Sequence, residues 1–287
     1  MDVIGRLLDA GFARAIVLDG ADCGIAERRL LLAVMPYEAD LPSGEGGARV
    51  HPYYPASQRA YQAASALARE AEEAGVPLRL RDDIRVKPIF ARMPGAGRGR
   101  STVNDLPGLG TRFHVQIFTL DEALPLTCRL LPAPQPLRCG SCRACVEHCP
   151  TGAIDDEGFH RERCLRNWQL GSKPVPEALR PLMGDRLVGC DECQRCCPVN
   201  AAPSRATAPL LPIEQILADP KAACASLKDL IGANLALPNR VLAQACLIAG
   251  CSGRQDLLPL LLPLREHPSP MVREQAVWAL TRLGGEG

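Results

Sequence analysis

The chain has 287 residues, enough for one large domain or two to three small ones. Its 47% hydrophobic and 23% charged residues are ordinary for a soluble globular protein. A net charge of +1 excludes a global pull toward nucleic acid or membrane, so any such binding must come from a local patch.

The start, MDVIGRLLDAGFARA, has acids within its first ten residues and no long apolar core, unlike a secretory signal. The apolar run 30–36 is far too short to span a bilayer, so a cytoplasmic protein with no membrane partner is expected. Residues 1–130 read as a mixed α/β domain. The runs Ala15–Leu18 and Leu30–Val34 suit buried strands. Residues 57–75 carry Tyr61, Ala64, Leu67, Ala68 and Ala71 at helical spacing, with Ser57 as N-cap and Gly75 as C-cap. The stretch 79–110, rich in Arg and Gly, reads as loop with little regular structure. Phe113–Thr119 alternates like a strand.

Residues 131–205, entered through LPAPQP, hold most of the cysteines, and an Ala/Pro-rich segment, 198–212, leads out of them. The remainder, about 213–287, reads as helical, with PNRVLAQACLIAG, RQDLLPLLLPLRE and SPMVREQAVWALTRLG as consecutive amphipathic segments. Ser269 can cap the last of these, with Pro270 at its first helical position. Gln244-Ala245 and Gln275-Ala276 stand 31 residues apart, as do Gly253 and Gly284, an echo of the kind α-solenoid units leave. About two units are too few to stand alone, so they should pack on the rest of the protein.

Nine of the 14 cysteines fall between Cys139 and Cys197. In a cytoplasmic protein such clustering points to metal or catalysis rather than to disulfides. CGSCRACVEHCP, 139–150, has the bacterial ferredoxin spacing C-x2-C-x2-C-x3-C-P. Cysteines three apart wrap a cubane and offer three thiolates to three irons. The proline stops the helix and swings the fourth cysteine away, toward the other cluster in two-cluster proteins. CDECQRCCP, 190–198, offers a second run in two registers because Cys196 and Cys197 are adjacent, and Cys164 lies between the runs. Nine cysteines are thus available for the eight positions of two [4Fe–4S] clusters. The rival is a four-thiolate zinc site, which has no use for three consecutive cysteines at this spacing followed by C-P. Cys23, Cys128, Cys224, Cys246 and Cys251 stand alone and read as small hydrophobes.

CGSCRACVEHCPTGAI, the lone cysteine and RPLMGDRLVGCDECQRCCPVN together resemble epoxyqueuosine reductase, the cobalamin-dependent family of queuosine biosynthesis in tRNA, which is related to the reductive dehalogenases. The resemblance implies an α+β protein with three parts: a cobalamin-binding-like α/β domain at 1–130, a ferredoxin-like double-cluster domain at 131–205 and HEAT-like repeats at 206–287. It implies one cluster on Cys139, Cys142, Cys145 and Cys197 and another on Cys149, Cys164, Cys190 and Cys193, with Cys196 spare. Gly95, Gly97, Gly99, Arg100 and Thr102, together with Gly110-Thr111-Arg112-Phe113, look like the remains of cobalamin-contacting loops, and PYYPASQRAY resembles the start of a family helix. A flavodoxin or ferredoxin is implied as electron donor, tRNA as partner and a monomer as the working state.

Three departures stand out. The N-terminal domain is shorter than the family norm, the tryptophan of the glycine loop is missing with Arg98 nearby, and the family's general-acid aspartate precedes a proline where direct counting from Pro88 lands on Arg85. Asp82 or Asp83 are the acids at hand. No D-x-H-x2-G segment offers cobalt a histidine. The basic residues Arg79, Arg81, Arg85, Lys87, Arg92, Arg98 and Arg100 could grip phosphates or stand solvated. Two readings follow: a shortened iron–sulfur reductase of this family, or an electron-transfer protein that keeps the clusters and has lost the cobalamin site and the acid.

Overall fold

The computed structural model describes residues 1–38, 47–200 and 210–284. The middle of the Ala/Pro-rich segment, 201–209, lies outside the described residues. The chain forms two compact units. Unit 1 comprises Met1–Glu38, Pro55–Ala144 and Cys196–Ala202, and unit 2 comprises Ala39–Tyr54, Cys145–Arg195 and Pro203–Gly287. The cysteine segment is therefore shared between the units.

The strands in chain order are β1 (Arg14–Asp19), β2 (Arg29–Pro36), β3 (Gly47–Val50), β4 (Leu78–Arg81), β5 (Gly97–Arg98), β6 (Asn104–Asp105), β7 (Phe113–Leu120), β8 (Arg186–Val188) and β9 (Leu210–Pro212). Unit 1 is built on an antiparallel sheet in the order β1-β2-β7-β4. Alternation along the strands splits its core in two. Val17, Leu31, Ala33 and Phe118 pack with Val3 and Leu7 of the first helix and with Ala56, Ala60, Ala64, Leu67 and Ala71 of helix Tyr53–Glu73. On the other face Ile16, Leu18, Leu30, Leu32 and Val34 pack with Ile89, Phe90 and Met93 of helix Val86–Arg92 and its end. The strands expected from the apolar runs at 15–18, 30–34 and 113–119 are all present.

Two local expectations fail. The long helix begins at Tyr53, not after Ser57, because the Tyr53 N–H donates to His51 Nδ1 at 3.1 Å and the ring does the capping. Its buried stripe is mostly alanine, with Tyr54 and Leu67, while Tyr61 is 55% exposed. The stretch 79–110 is not plain loop. It holds β4, the helix Val86–Arg92 and the β5–β6 hairpin. Its charges hide β4, whose Leu78 and Leu80 pack on the first core while Arg79 and Arg81 alternate with them.

Unit 2 has one core. β3 pairs in parallel with β8 and antiparallel with β9. Helix Pro238–Ser252 is buried without interruption from Val241 to Gly250. Helix Pro270–Arg282 crosses it, and a Cβ on Gly250 would lie 2.6 Å from the Trp278 ring, so a larger residue would part the two helices. The echo seen in the sequence is structural. Gln244 and Gln275 are both buried, and Gly253 and Gly284 both end their helices with φ of 72° and 80°. Between them, RQDLLPLLLPLRE is not one helix but three short turns, 255–257, 258–261 and 262–266, because Pro259 and Pro263 each lack the N–H a continuous helix needs. Ser269 occupies the cap position without a side-chain hydrogen bond. No helix among the described residues is long and apolar enough to cross a membrane.

Candidate iron–sulfur centre

No disulfide joins any two cysteines among the described residues. In unit 2, Cys193 is buried among Cys190, Cys164, Cys145 and Cys149. Burial, then the four neighbouring sulfurs, push its thiol well above the ordinary value, and burial pushes Cys190 up to about 11. In unit 1, Cys197 faces Cys139 and Cys142, and burial followed by these neighbours raises it too. Thiols packed together in this way stay neutral by themselves. Only a strongly positive centre gathers them as thiolates, and donor sets made of sulfur alone suit iron–sulfur ligation. The donor sets therefore fit iron–sulfur clusters. The unit division falls between Ala144 and Cys145 and between Arg195 and Cys196, so Cys145 is counted with unit 2 and joined by the chain to Cys142.

The loop that carries Cys190 is braced by buried polar groups. Arg49, only 5% exposed, donates from Nε to both Asp185 carboxylate oxygens at 3.2 Å, and its NH1 lies 3.9 Å from Asp191 Oδ1. His51 Nε2 lies 3.4 Å from Asp191 Oδ2. Since His51 Nδ1 accepts the Tyr53 N–H, Nε2 is the nitrogen that carries the proton toward Asp191. Burial alone would raise the Asp191 carboxyl, but His51 and Arg49 hold it below the ordinary value. The buried Gln169 donates to Arg186 O and accepts from Gly189 N–H at 2.8 Å. Gly189 has φ 97°, and a Cβ there would strike the His51 side chain. Nearby, the Arg166 guanidinium lies against the rings of Tyr53 and Tyr54, at 5.6 and 5.8 Å from their centroids.

In unit 1 the bracing runs from backbone N–H groups to side-chain acceptors, beside closely packed glycines. The Arg100 N–H donates to Cys139 Sγ at 3.3 Å, and a Cβ on Gly99 would sit 3.4 Å from that sulfur. A Cβ on Gly97 would strike Asp105 and Arg138, which form an ion pair at 2.9 Å. Asn200, three residues after Cys197, accepts the Thr111 N–H at 2.7 Å against Gly110, whose φ of 58° and crowded Cβ position exclude a side chain.

The residues expected to meet cobalamin thus come together: Gly95, Gly97, Gly99, Arg100 and Thr102 all lie on or beside the β5–β6 hairpin, and Thr102 Oγ1 accepts from Lys87 Nζ at 3.1 Å. Yet the space that Gly97 leaves is filled by Asp105 and Arg138, while a Cβ on Gly99 would only touch Cys139 Sγ. The smallness of Gly97 thus makes room for the Asp105–Arg138 pair beside Cys139. The expected acids fare worse. Arg81 binds Asp83 through two hydrogen bonds of 2.9 and 2.8 Å and holds its carboxyl below the ordinary value, opposite to what a proton donor at neutral pH needs. Asp82 is exposed. Arg85 lines a cavity of about 240 Å³ with Asp22, Cys23 and Arg92, and this cavity contains neither candidate acid. Arg49, His51 and Gln169 were not singled out in the sequence. Their only local signal is an Arg-x-His pair in a stretch that turns out to be buried.

A family model described as a 4Fe-4S double cluster binding domain matches residues 138–200, and a HEAT repeat model matches 257–285. An epoxyqueuosine reductase of Alicycliphilus denitrificans is 41% identical over 39% of this chain and 30% of its own length. One from Bacillus anthracis is 29% identical over 54% of this chain and 44% of its own. Over these stretches the chain is similar to epoxyqueuosine reductases. The stretches that match span less than half the length of these curated relatives. The fold agrees over nearly the whole chain. A crystal structure of epoxyqueuosine reductase with an epoxyqueuosine-modified tRNA-Tyr stem loop superposes with a TM-score of 0.73 at 16% identity, covering 99% of this chain and 89% of that one. The Streptococcus thermophilus enzyme gives 0.71 at 17%, covering 91% and 75%.

Proposed function

We propose that this protein is an iron–sulfur oxidoreductase of the epoxyqueuosine-reductase type. The observation that carries this reading is the convergence of the cysteines into two sets, one around Cys193 and one around Cys197, in a chain with that family's fold. One cluster is assigned to Cys139, Cys142, Cys145 and Cys197 and the other to Cys149, Cys164, Cys190 and Cys193, with Cys196 spare. Bound clusters of this kind supply single electrons at low potential. The chain holds its sulfurs by N–H donation at Cys139 and Cys149, the latter from Ala153 N at 3.2 Å, and by the buried brace behind Cys190.

In this reading the three parts of the chain divide the work. Residues 1–130 shape the substrate side, 131–205 hold the electrons, and the repeats of 206–287, with the basic stretch 79–100, meet the phosphates of a tRNA. A flavodoxin or ferredoxin would feed the clusters of a monomer in the cytoplasm. Because the space at Gly97 is taken by Asp105 and Arg138, cobalamin is not assigned a seat there.

A second reading has a specific observation in its favour. With Asp83 tied to Arg81 and Arg85 at the place of the family's acid, a pure electron carrier would need nothing that is missing. The test is reduction of an epoxyqueuosine-containing tRNA stem loop by dithionite-reduced protein, with and without added cobalamin. Conversion to queuosine supports the reductase. Reduced clusters that leave the stem loop unchanged under both conditions support the carrier.

A further inference from the structure

The brace behind Cys190 is built from charge, at the place where charge matters most to a cluster. Asp191 follows Cys190 directly and is 3% exposed. Its Oδ1 has no hydrogen-bond partner among the described residues, and its carboxylate is faced by Arg49 at 3.9 Å and by the His51 N–H at 3.4 Å. Arg49 also grips Asp185, from which β8 leads to Cys190, and the Arg49 N–H donates to Asp185 O at 2.7 Å. The loop is thus fixed at both ends by one guanidinium drawn from a strand more than a hundred residues away in sequence.

A buried carboxylate beside a cluster disfavours adding an electron to it, and a buried guanidinium favours it. Buried ion pairs are weak sources of stability and are kept for position or tuning. Water does not screen this one.

We propose that Arg49 and Asp191 form a charge-compensated positioning pair that sets the reduction potential of the cluster carrying Cys190, with His51 fixing the Asp191 rotamer. This rests on the assignment of Cys190 to a [4Fe–4S] cluster. Arg49 is given no part in ligating the cluster. It acts through the carboxylate and the loop.

The test is an anaerobic redox titration of the full chain followed by electron paramagnetic resonance, with iron counted in each sample. Arg49→Gln should shift one of the two cluster potentials negative by at least a tenfold change in the one-electron equilibrium, about 59 mV, and leave the other in place. Asp191→Asn should shift the same cluster positive. The double variant should return close to the parent, because the two charges cancel. Arg49→Lys should recover most of the shift.

A purely structural role predicts something else: iron lost alike in Arg49→Gln and Arg49→Lys, with no potential shift in the molecules that keep their clusters. That result would overturn the proposal, as would equal shifts of both clusters or opposite charge changes that fail to cancel. If Arg49→Gln does not fold, Asp191→Asn alone decides, since a full iron content with unmoved potentials overturns the pair. Parent protein that holds stoichiometric zinc and little iron overturns the cluster assignment itself, a failure read from the metal count before any potential is measured.

Discussion

In unit 2 the loop that carries Cys190 is held by buried charge, whereas in unit 1 the loops that carry Cys139 and Cys197 are held mainly by backbone N–H donation and packed glycines, beside one ion pair, Arg138–Asp105. Arg49, His51, Asp191 and Gln169 serve the first, while Gly97, Gly99, Gly110 and Asn200 serve the second. Charge acts at a distance and is felt by a cluster as potential. Glycine contacts act only through shape. The two cysteine sets should therefore respond differently when their surroundings are changed.

The largest expected effect is Cys193→Ala. It removes the sulfur at the centre of the unit 2 set and should release about four of eight irons while leaving the signal of the other cluster. Because metal binding is also folding free energy, the melting temperature should drop with it. Iron analysis and calorimetry check both. Next come two glycines, one from each side. Gly110→Ala and Gly189→Ala each force a side chain into a left-handed, occupied site and should cost about 1–3 kcal/mol in chemical denaturation. Each should deplete the cluster of its own unit alone. If Gly110→Ala keeps full iron and stability, the shape argument for unit 1 fails.

How far the sequence reached follows the same divide. Cluster ligands sit at fixed short spacings, so Cys139–Cys149 and Cys190–Cys197 were legible as an array, and the family likeness turned the array into ligand sets. The sheet of unit 1 was legible where strands are apolar throughout, as in β2. It was hidden where pairing is decided by a distant partner, as in β4 against β7. The start of the long helix was misread because its cap is the His51 ring rather than a hydroxyl. The glycines of 95–99 read as a cofactor loop because a sequence shows that a side chain is missing but not what fills the gap. Arg49 and Asp191 lie 142 positions apart, and no local pattern joins them.

A smaller effect concerns unit 1 alone. Burial lowers His114 to about 4, below the ordinary histidine value of about 6.5. As pH falls, the unfolded chain takes up this proton first. His114 should therefore add nothing to the pH dependence above 6.5 and should destabilise the fold progressively from pH 6.5 to about 4. Denaturation across that window should flatten in His114→Gln. The smallest expected change is Asp83→Asn. With its carboxylate exposed and already bound to Arg81, this variant should leave both the cluster potentials and the pH profile of any reductase activity unchanged. An activity loss of tenfold or more would restore Asp83 as the proton donor.

The central claim is that the two cysteine sets hold two [4Fe–4S] clusters. It is tested most directly by purifying the full chain without oxygen and measuring iron, acid-labile sulfide and zinc per chain. The account expects about eight irons and about eight sulfides, with zinc far below one. Two or fewer irons with one or two zinc ions per chain would contradict it.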